Sequence, residues 1–304
     1  MGENIVENIK LLKSERNAII LAHYYQPSEI QELADHVGDS YYLSEIARDC
    51  KEDVIVFCGV KFMGESAKIL SPNKKILMPD LDAGCAMSDM IDENGILELK
   101  NKYPNAIVIG YINSTAKVKA HCDVCVTSSS ALDILNNVDN DEIIFLPDEN
   151  LGGYIAESFP EKKFILWEGY CKYHHNIKVC DIIHLKNKYK EALVLVHPEC
   201  KKEIRDLGDY IGSTTGIIEY ATNSEKKDYI IATEEGILYE LNKKNPNKNF
   251  LIPGESISCI DMKKTTLKNL YETLLNMDNE VVVEETVRVK ALNSLLNMHK
   301  LAEV

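Results

Sequence analysis

Three polar clusters recur almost evenly along this 304-residue chain: His23-Tyr24-Tyr25, Tyr111-Ile112-Asn113 and His197-Pro198-Glu199, their first residues 88 and 86 apart. A cysteine follows each cluster, Cys85 at 62 residues, Cys171 at 60 and Cys259 at 62. Three cysteines brought to one centre, one from each copy of a repeat, make a thiolate tripod. Cysteine thiolates hold iron–sulfur clusters, and three ligands to a cubane leave one iron open. Zinc with three thiolates and an exchangeable fourth position is the competing occupant; soft all-sulfur ligation suits the cluster. An open metal corner polarises a carbonyl or a hydroxyl leaving group.

Alternate residues leaving a strand point the same way, so His23 with Tyr25, Tyr111 with Asn113 and His197 with Glu199 can aim at one cavity. Histidine exchanges protons near neutrality, and a carboxylate drawn to a metal-bound substrate serves as general base and acid; Glu199 is expected in that role. Ser40, Ser128 and Ser213 follow the clusters at 17, 17 and 16 residues, each opening a helix-like segment. A helix N-terminus favours an anion, although serine there is also a routine cap. Ser128-Ser129-Ser130 and Ser213-Thr214-Thr215 carry more hydroxyls than capping requires. Lys61 adds one positive charge to this set or is a solvated surface lysine.

The remaining cysteines read differently. Cys122 and Cys125, beside His121, superficially resemble a metal knuckle, but no second Cys-x-x-Cys exists and the pair reads as buried core. Cys50 and Cys180 read as incidental and Cys58 as core; Cys200, next to Glu199, is the hardest to set aside.

The elements that must position these groups are short β-branched runs alternating with helix-like segments, an α/β pattern with parallel strands. Ala18–Ala22, Ile107–Gly110 and Leu193–Val196 end at the three clusters; further strands end near Cys58, Leu146 and Ala232 and centre on Leu77, Ile165 and Leu251. The spacing predicts three βαβ-type domains of about 85 residues around a pseudo-threefold axis, with an active site where their strand carboxyl ends face inward. The expected domains are residues 15–100, 101–187 and 188–275, closely apposed, with 1–14 and 276–304 as a terminal helical clasp. Ile5, Ile9 and Leu12 share one helical face there, and Val287, Leu292, Leu295 and Leu296 another.

With 34 basic against 48 acidic residues, the net charge of −14 argues against nucleic acid or an anionic membrane as partner. Apolar runs are too short to span a bilayer. Met1–Lys13 lacks a cationic start followed by an apolar stretch, so no secretory leader is expected. Nine cysteines without an export signal point to a reducing compartment, the cytoplasm.

Taken together, His23-Tyr24-Tyr25-Gln26, Gly38-Asp39-Ser40, Phe57-Cys58-Gly59-Val60 with Phe62-Met63, Gly84-Cys85-Ala86-Met87, Gly110-Tyr111-Ile112-Asn113, Thr127-Ser128-Ser129, Leu146-Pro147-Asp148, His197-Pro198-Glu199-Cys200, Gly212-Ser213-Thr214 and Cys259 closely resemble the quinolinate synthase family, from His23 to about Met262. The resemblance implies a three-domain enzyme of NAD biosynthesis, with a [4Fe–4S] cluster on Cys85, Cys171 and Cys259. It implies condensation of iminoaspartate with dihydroxyacetone phosphate to quinolinate, losing phosphate and two waters, with an aspartate-oxidising enzyme as a source of the imine. By the same resemblance His23, Tyr25, Ser40, Tyr111, Asn113, Ser128, His174, His197, Ser213 and Thr214 contact substrate, Glu199 is the acid/base catalyst, and Tyr25, Tyr111 and His197 assist it. Longer relatives carry further cysteines near the third ligand; this chain has Cys259 alone there, as in the compact form. The competing functions are a three-cysteine iron–sulfur enzyme of the dehydroxylase type and a non-enzymatic iron–sulfur sensor, which would need a partner surface.

Overall fold

The computed structural model describes residues 2–303, and one eight-element order runs through it three times. Unit one comprises α1 (Gly2–Glu15), β1 (Ala18–His23), α2 (Ser28–Leu33), β2 (His36–Gly38), α3 (Ser40–Asp49), β3 (Val54–Cys58), α4 (Lys61–Leu70) and β4 (Lys75–Leu77). Unit two comprises α5 (Glu93–Lys102), β5 (Ile107–Tyr111), α6 (Ala116–Lys119), β6 (Val124–Val126), α7 (Ala131–Asn136), β7 (Glu142–Leu146), α8 (Glu149–Ser158) and β8 (Lys163–Leu166). After α9 (Lys172–His175), unit three comprises α10 (Val179–Lys188), β9 (Leu193–Val196), α11 (Lys202–Arg205), β10 (Tyr210–Ile211), α12 (Thr214–Asn223), β11 (Asp228–Ala232), α13 (Leu238–Lys244) and β12 (Asn249–Leu251). Helices α14 (Leu267–Asn276) and α15 (Glu285–Ala302) close the chain.

Each unit holds a four-stranded, all-parallel sheet in which the first strand lies between the second and third: β2-β1-β3-β4, β6-β5-β7-β8 and β10-β9-β11-β12. Ala22 pairs with Cys58, Gly110 with Leu146 and Val196 with Ala232, so the registers also correspond. The third strands end where the β-branched runs end. Loops leaving adjacent strands in opposite directions open a crevice at the carboxyl edge of each sheet.

Helices on both faces bury both faces, so the strands are apolar throughout rather than alternating. In β1, Ile19 and Leu21 enter a core shared by all three units, while Ala18, Ile20 and Ala22 enter an outer cluster. Unit three has the same division at Leu195 against Val194 and Val196.

The outer clusters reveal a helix ahead of each first strand. Ile9 and Leu12 of α1 cover the first sheet, Ile96 of α5 the second, and Ile182 of α10 the third. Helix α1, in the segment expected as part of a terminal clasp, thus covers the first sheet as α5 and α10 cover theirs; Met1 and Val304 lie outside the described residues. The expected boundaries after residues 100 and 187 fall inside α5 and α10, which pack on the sheets that follow them. Of the two closing helices, α14 packs on α1, through Leu270 and Leu274. Helix α15 lies instead on α4, α6, α7 and β6, and thereby joins units one and two. No described helix is long and apolar enough to cross a membrane.

Leu295 of α15 is fully buried in the shared core. Leu295→Ala should cost about 2–5 kcal/mol through lost burial and a residual cavity. A lower urea midpoint of the metal-free chain checks this.

Candidate active site

One cavity collects side chains from the carboxyl ends of all three sheets. His23 and Tyr25 enter from unit one, Tyr111 and Asn113 from unit two, and His197 and Glu199 from unit three. Cys85, Cys171 and Cys259 line the same cavity, as do Ser40, Ser128, His174 and Thr214.

The local turns explain how the histidines are presented. The Tyr25 N–H donates to His23 Nδ1 at 3.1 Å, and the Glu199 N–H to His197 Nδ1 at 3.3 Å. Accepting at Nδ1 leaves each neutral ring with its proton on Nε2 as a donor. In unit two Tyr111 takes the histidine's place, and Ser114 Oγ donates to its carbonyl oxygen at 2.8 Å.

The hydroxyls divide between caps and the cavity lining. Ser213 does not line the cavity: its Oγ caps α12 by accepting the Gly216 N–H at 3.1 Å. Asp39 caps α3 by accepting the Tyr42 N–H at 3.0 Å, and Thr127 Oγ1 accepts the Ser130 N–H at 3.2 Å in the turn ahead of α7. The cavity hydroxyls are the next residues along, Ser40, Ser128 and Thr214, each 17 residues past its cluster. Capping selects the first position of each pair and leaves the second free to face inward.

Glu199 is only 4% exposed, yet both its oxygens are satisfied. The Tyr111 hydroxyl donates to Oε1 at 2.6 Å, and His174 Nδ1 lies 2.8 Å from Oε2. His174 Nε2 then faces Thr233 Oγ1 at 2.9 Å, Thr233 faces the Tyr25 hydroxyl at 2.8 Å, and Tyr25 faces Thr214 Oγ1 at 3.1 Å. With the His174 proton on Nδ1 toward Glu199, Nε2 accepts from Thr233, and one hydrogen-bonded chain spans the three units. His174 also stacks on His197, ring centroids 4.7 Å apart.

Burial alone would raise the Glu199 carboxyl; His174, then His197 and Tyr111, outweigh it and hold the group ionised, below the ordinary carboxylate range. Burial and the Glu199 charge push the Tyr25 and Tyr111 phenols well above their usual value, so both stay protonated. The Cys85 thiol is pushed up to about 12, chiefly by burial, with Glu199 and Cys259 adding to it. Cys171 is also raised, by burial, Glu199 and Cys85. Three half-buried thiols lining one cavity beside the Glu199 charge are a poor arrangement as anions without a cation and a good one with it. The donor set thus fits a soft metal group. Separately, Cys171, His174 and Glu199 each bring one donor atom within 4.8 Å of the others and could hold a metal ion.

Asn113 Oδ1 is buried without a protein partner, an acceptor left for a bound molecule. Cys122 and Cys125 are buried away from this cavity and Cys180 is exposed. Cys200 is buried with its Sγ 3.4 Å from the Ala232 carbonyl oxygen, and Lys61 is not among the lining residues. Asp39, Thr127, Thr233 and Glu234 were not singled out from sequence. The repeat carried a signal for Glu234, since it stands two residues past the third strand, as Asp148 does in unit two. Thr233 had none.

Burial pushes both His23 and His197 down to about 3. Unfolded histidines take up protons near 6.5, so the unfolded state binds more protons and stability falls as pH drops through that value. The thermal midpoint of the metal-free chain should fall between pH 7 and 5.5, and His23→Gln with His197→Gln should flatten that slope.

The family model described as Quinolinate synthetase A protein matches residues 7–300. The chain is 74% identical over 303 residues to a protein named Quinolinate synthase from Clostridioides difficile (strain 630), covering 100% of both. It is 57% identical to one so named from Clostridium perfringens (strain 13 / Type A), covering 98% of this chain and 99% of that protein. A third, from Clostridium acetobutylicum, is 53% identical with 98% of each covered. A match of this extent, over the same residues that build the three units and their common cavity, places the chain in the quinolinate synthetase A family of enzymes.

Proposed function

We propose that this chain is a quinolinate synthase that condenses iminoaspartate with dihydroxyacetone phosphate, releasing phosphate and two waters. The observation that carries the reading is the meeting of three thiols, one per unit, with the Tyr111–Glu199–His174 arrangement in one cavity. An aspartate-oxidising enzyme would supply the imine, which water hydrolyses.

Cys85, Cys171 and Cys259 would hold a [4Fe–4S] cluster, which supplies a Lewis-acidic iron when bound. The chain's own groups divide the remaining work. Ser40, Ser128 and Thr214 offer hydroxyls to the phosphate and carboxylate oxygens of the substrates, beside the N-termini of α3 and α12. His23 and His197, neutral and carrying Nε2 protons, donate without adding charge. Asn113 Oδ1 accepts from the imine or a hydroxyl. Glu199, ionised and held from two sides, removes a proton from a substrate carbon and returns it to a departing oxygen. Tyr111 and Tyr25, both protonated, donate to the enolate oxygen formed in that step.

A single metal ion on Cys171, His174 and Glu199 is the alternative occupant, favoured by their mutual approach. It would displace the His174–Glu199 hydrogen bond and bind without sulfide. Iron and sulfide counts on anaerobically purified protein separate the two readings.

Cys259→Ala should reduce iron and sulfide to background and abolish quinolinate formation, with an unchanged far-ultraviolet circular dichroism spectrum. Activity retained without iron would refute the cluster assignment. Glu199→Gln should keep the cluster and lower kcat by roughly 10²–10⁴; an anaerobic assay that finds turnover unchanged removes Glu199 from the acid/base role.

A further inference from the structure

Each unit ties its cysteine loop to its third strand by the same backbone bond. The N–H three residues past the strand donates to the carbonyl two residues ahead of the cysteine: Lys61 to Ala83 at 2.7 Å, Glu149 to Gly169 at 2.8 Å and Glu235 to Ile257 at 2.8 Å. In unit two the approach is so close that a Cβ on Gly169 would lie 2.4 Å from the Pro147 carbonyl oxygen.

Units two and three add a carboxylate at the position before, two residues past the strand. Asp148 Oδ2 accepts the Cys171 N–H at 3.2 Å while Oδ1 caps α8 by accepting the Leu151 N–H at 2.7 Å. Glu234 Oε1 accepts the Cys259 N–H at 2.9 Å while Oε2 accepts the Gly236 N–H at 2.6 Å. Both side chains are buried. Lys263, four residues past Cys259, closes the far side of that loop, with Nζ 2.9 Å from Glu234 Oε1 and 2.5 Å from the Tyr25 carbonyl oxygen of unit one. In unit one the corresponding residue is Val60, whose side chain has no acceptor.

A buried carboxylate beside a cluster of thiols is costly on electrostatic grounds, since both would repel as anions. Its use twice, at the same step of the repeat and on the same peptide N–H, calls for a function in placing the cysteine. We infer that Asp148 and Glu234 are positioning residues that fix the Cys171 and Cys259 loops for the metal group by holding each cysteine's own N–H, whereas the Cys85 loop has Val60 at the equivalent position and no such tether. As a statement about the metal group this rests on the cluster reading above; the tether itself does not. Groups that orient metal ligands from behind typically change metal affinity 10–100-fold when removed.

The test uses the full chain with Asp148→Ala, Asp148→Asn, Glu234→Ala and Glu234→Gln. Asn and Gln carry no charge and keep one of the two acceptor oxygens, so they can hold the cysteine N–H or the second N–H but not both. In the anaerobic holoenzyme, cluster loss to an iron chelator should be at least tenfold faster in the alanine variants, with an altered electron paramagnetic resonance spectrum of the reduced cluster. The amide variants, which keep one acceptor of the two, should fall between the alanine variants and the parent. In the metal-free chain, amide exchange around Cys171 should accelerate about tenfold in Asp148→Ala, and around Cys259 in Glu234→Ala, with the segment around Cys85 unchanged. Alanine variants with parental lifetimes and exchange overturn the proposal. A parent chain that binds no iron and sulfide overturns the cluster reading, while the exchange measurement still decides the tether.

Discussion

An ionised carboxylate taken out of water costs several kcal/mol unless its oxygens are met by donors. Glu199 meets that requirement only because Tyr111 reaches it from the second unit and His174 from the segment between the second and third. His174 is itself held through Thr233 to Tyr25 of the first unit. No one unit contains enough donors to keep this charge buried. Joining the three sheets is therefore a condition for the ionised site as well as for the shared core.

The repeated helix–strand order makes that junction possible. Parallel strands deliver every loop of one kind to the same edge, and a unit used three times delivers three such edges. Each sheet spends its outer face on its own leading helix and its inner face on the common core. The cavity thus sits where three identical ends meet. It can be lined by equivalent positions that have diverged in chemistry: histidine or tyrosine at the strand exit, serine or threonine one step into the helix, cysteine in the last loop.

Divergence between the copies is as informative as their likeness. After the second strand, Asp39 and Ser213 cap the helices that follow, while Thr127 closes the turn ahead of α7, three side chains of different chemistry each accepting the N–H three residues on. Cap and cavity hydroxyl are adjacent in sequence, and in the third unit both are hydroxyl residues. A spacing argument alone took the first of them. The third unit's Ser213 is the cap, and Thr214 lines the cavity.

Much of the design was legible in the chain itself. β-Branched runs end at Cys58, Leu146 and Ala232 because strands buried on both faces need an unbroken apolar stretch, and polar residues mark where they emerge. The even spacing of His23, Tyr111 and His197, with a cysteine some sixty residues beyond each, carried the threefold repeat and the residues at its centre. The leading helices were not legible as part of that repeat, since a helix needs only one apolar stripe and many different sequences supply it. Nor could any local pattern say that Thr233 would stand between Tyr25 and His174, or that Asp148 and Glu234 would hold cysteine amides more than twenty residues away. Periodicity and chemistry along one chain thus determine the elements and the reactive side chains they present. Which side chains touch across units is decided only when three sheets close on one another, because those contacts depend on orientations that neighbours in sequence do not control.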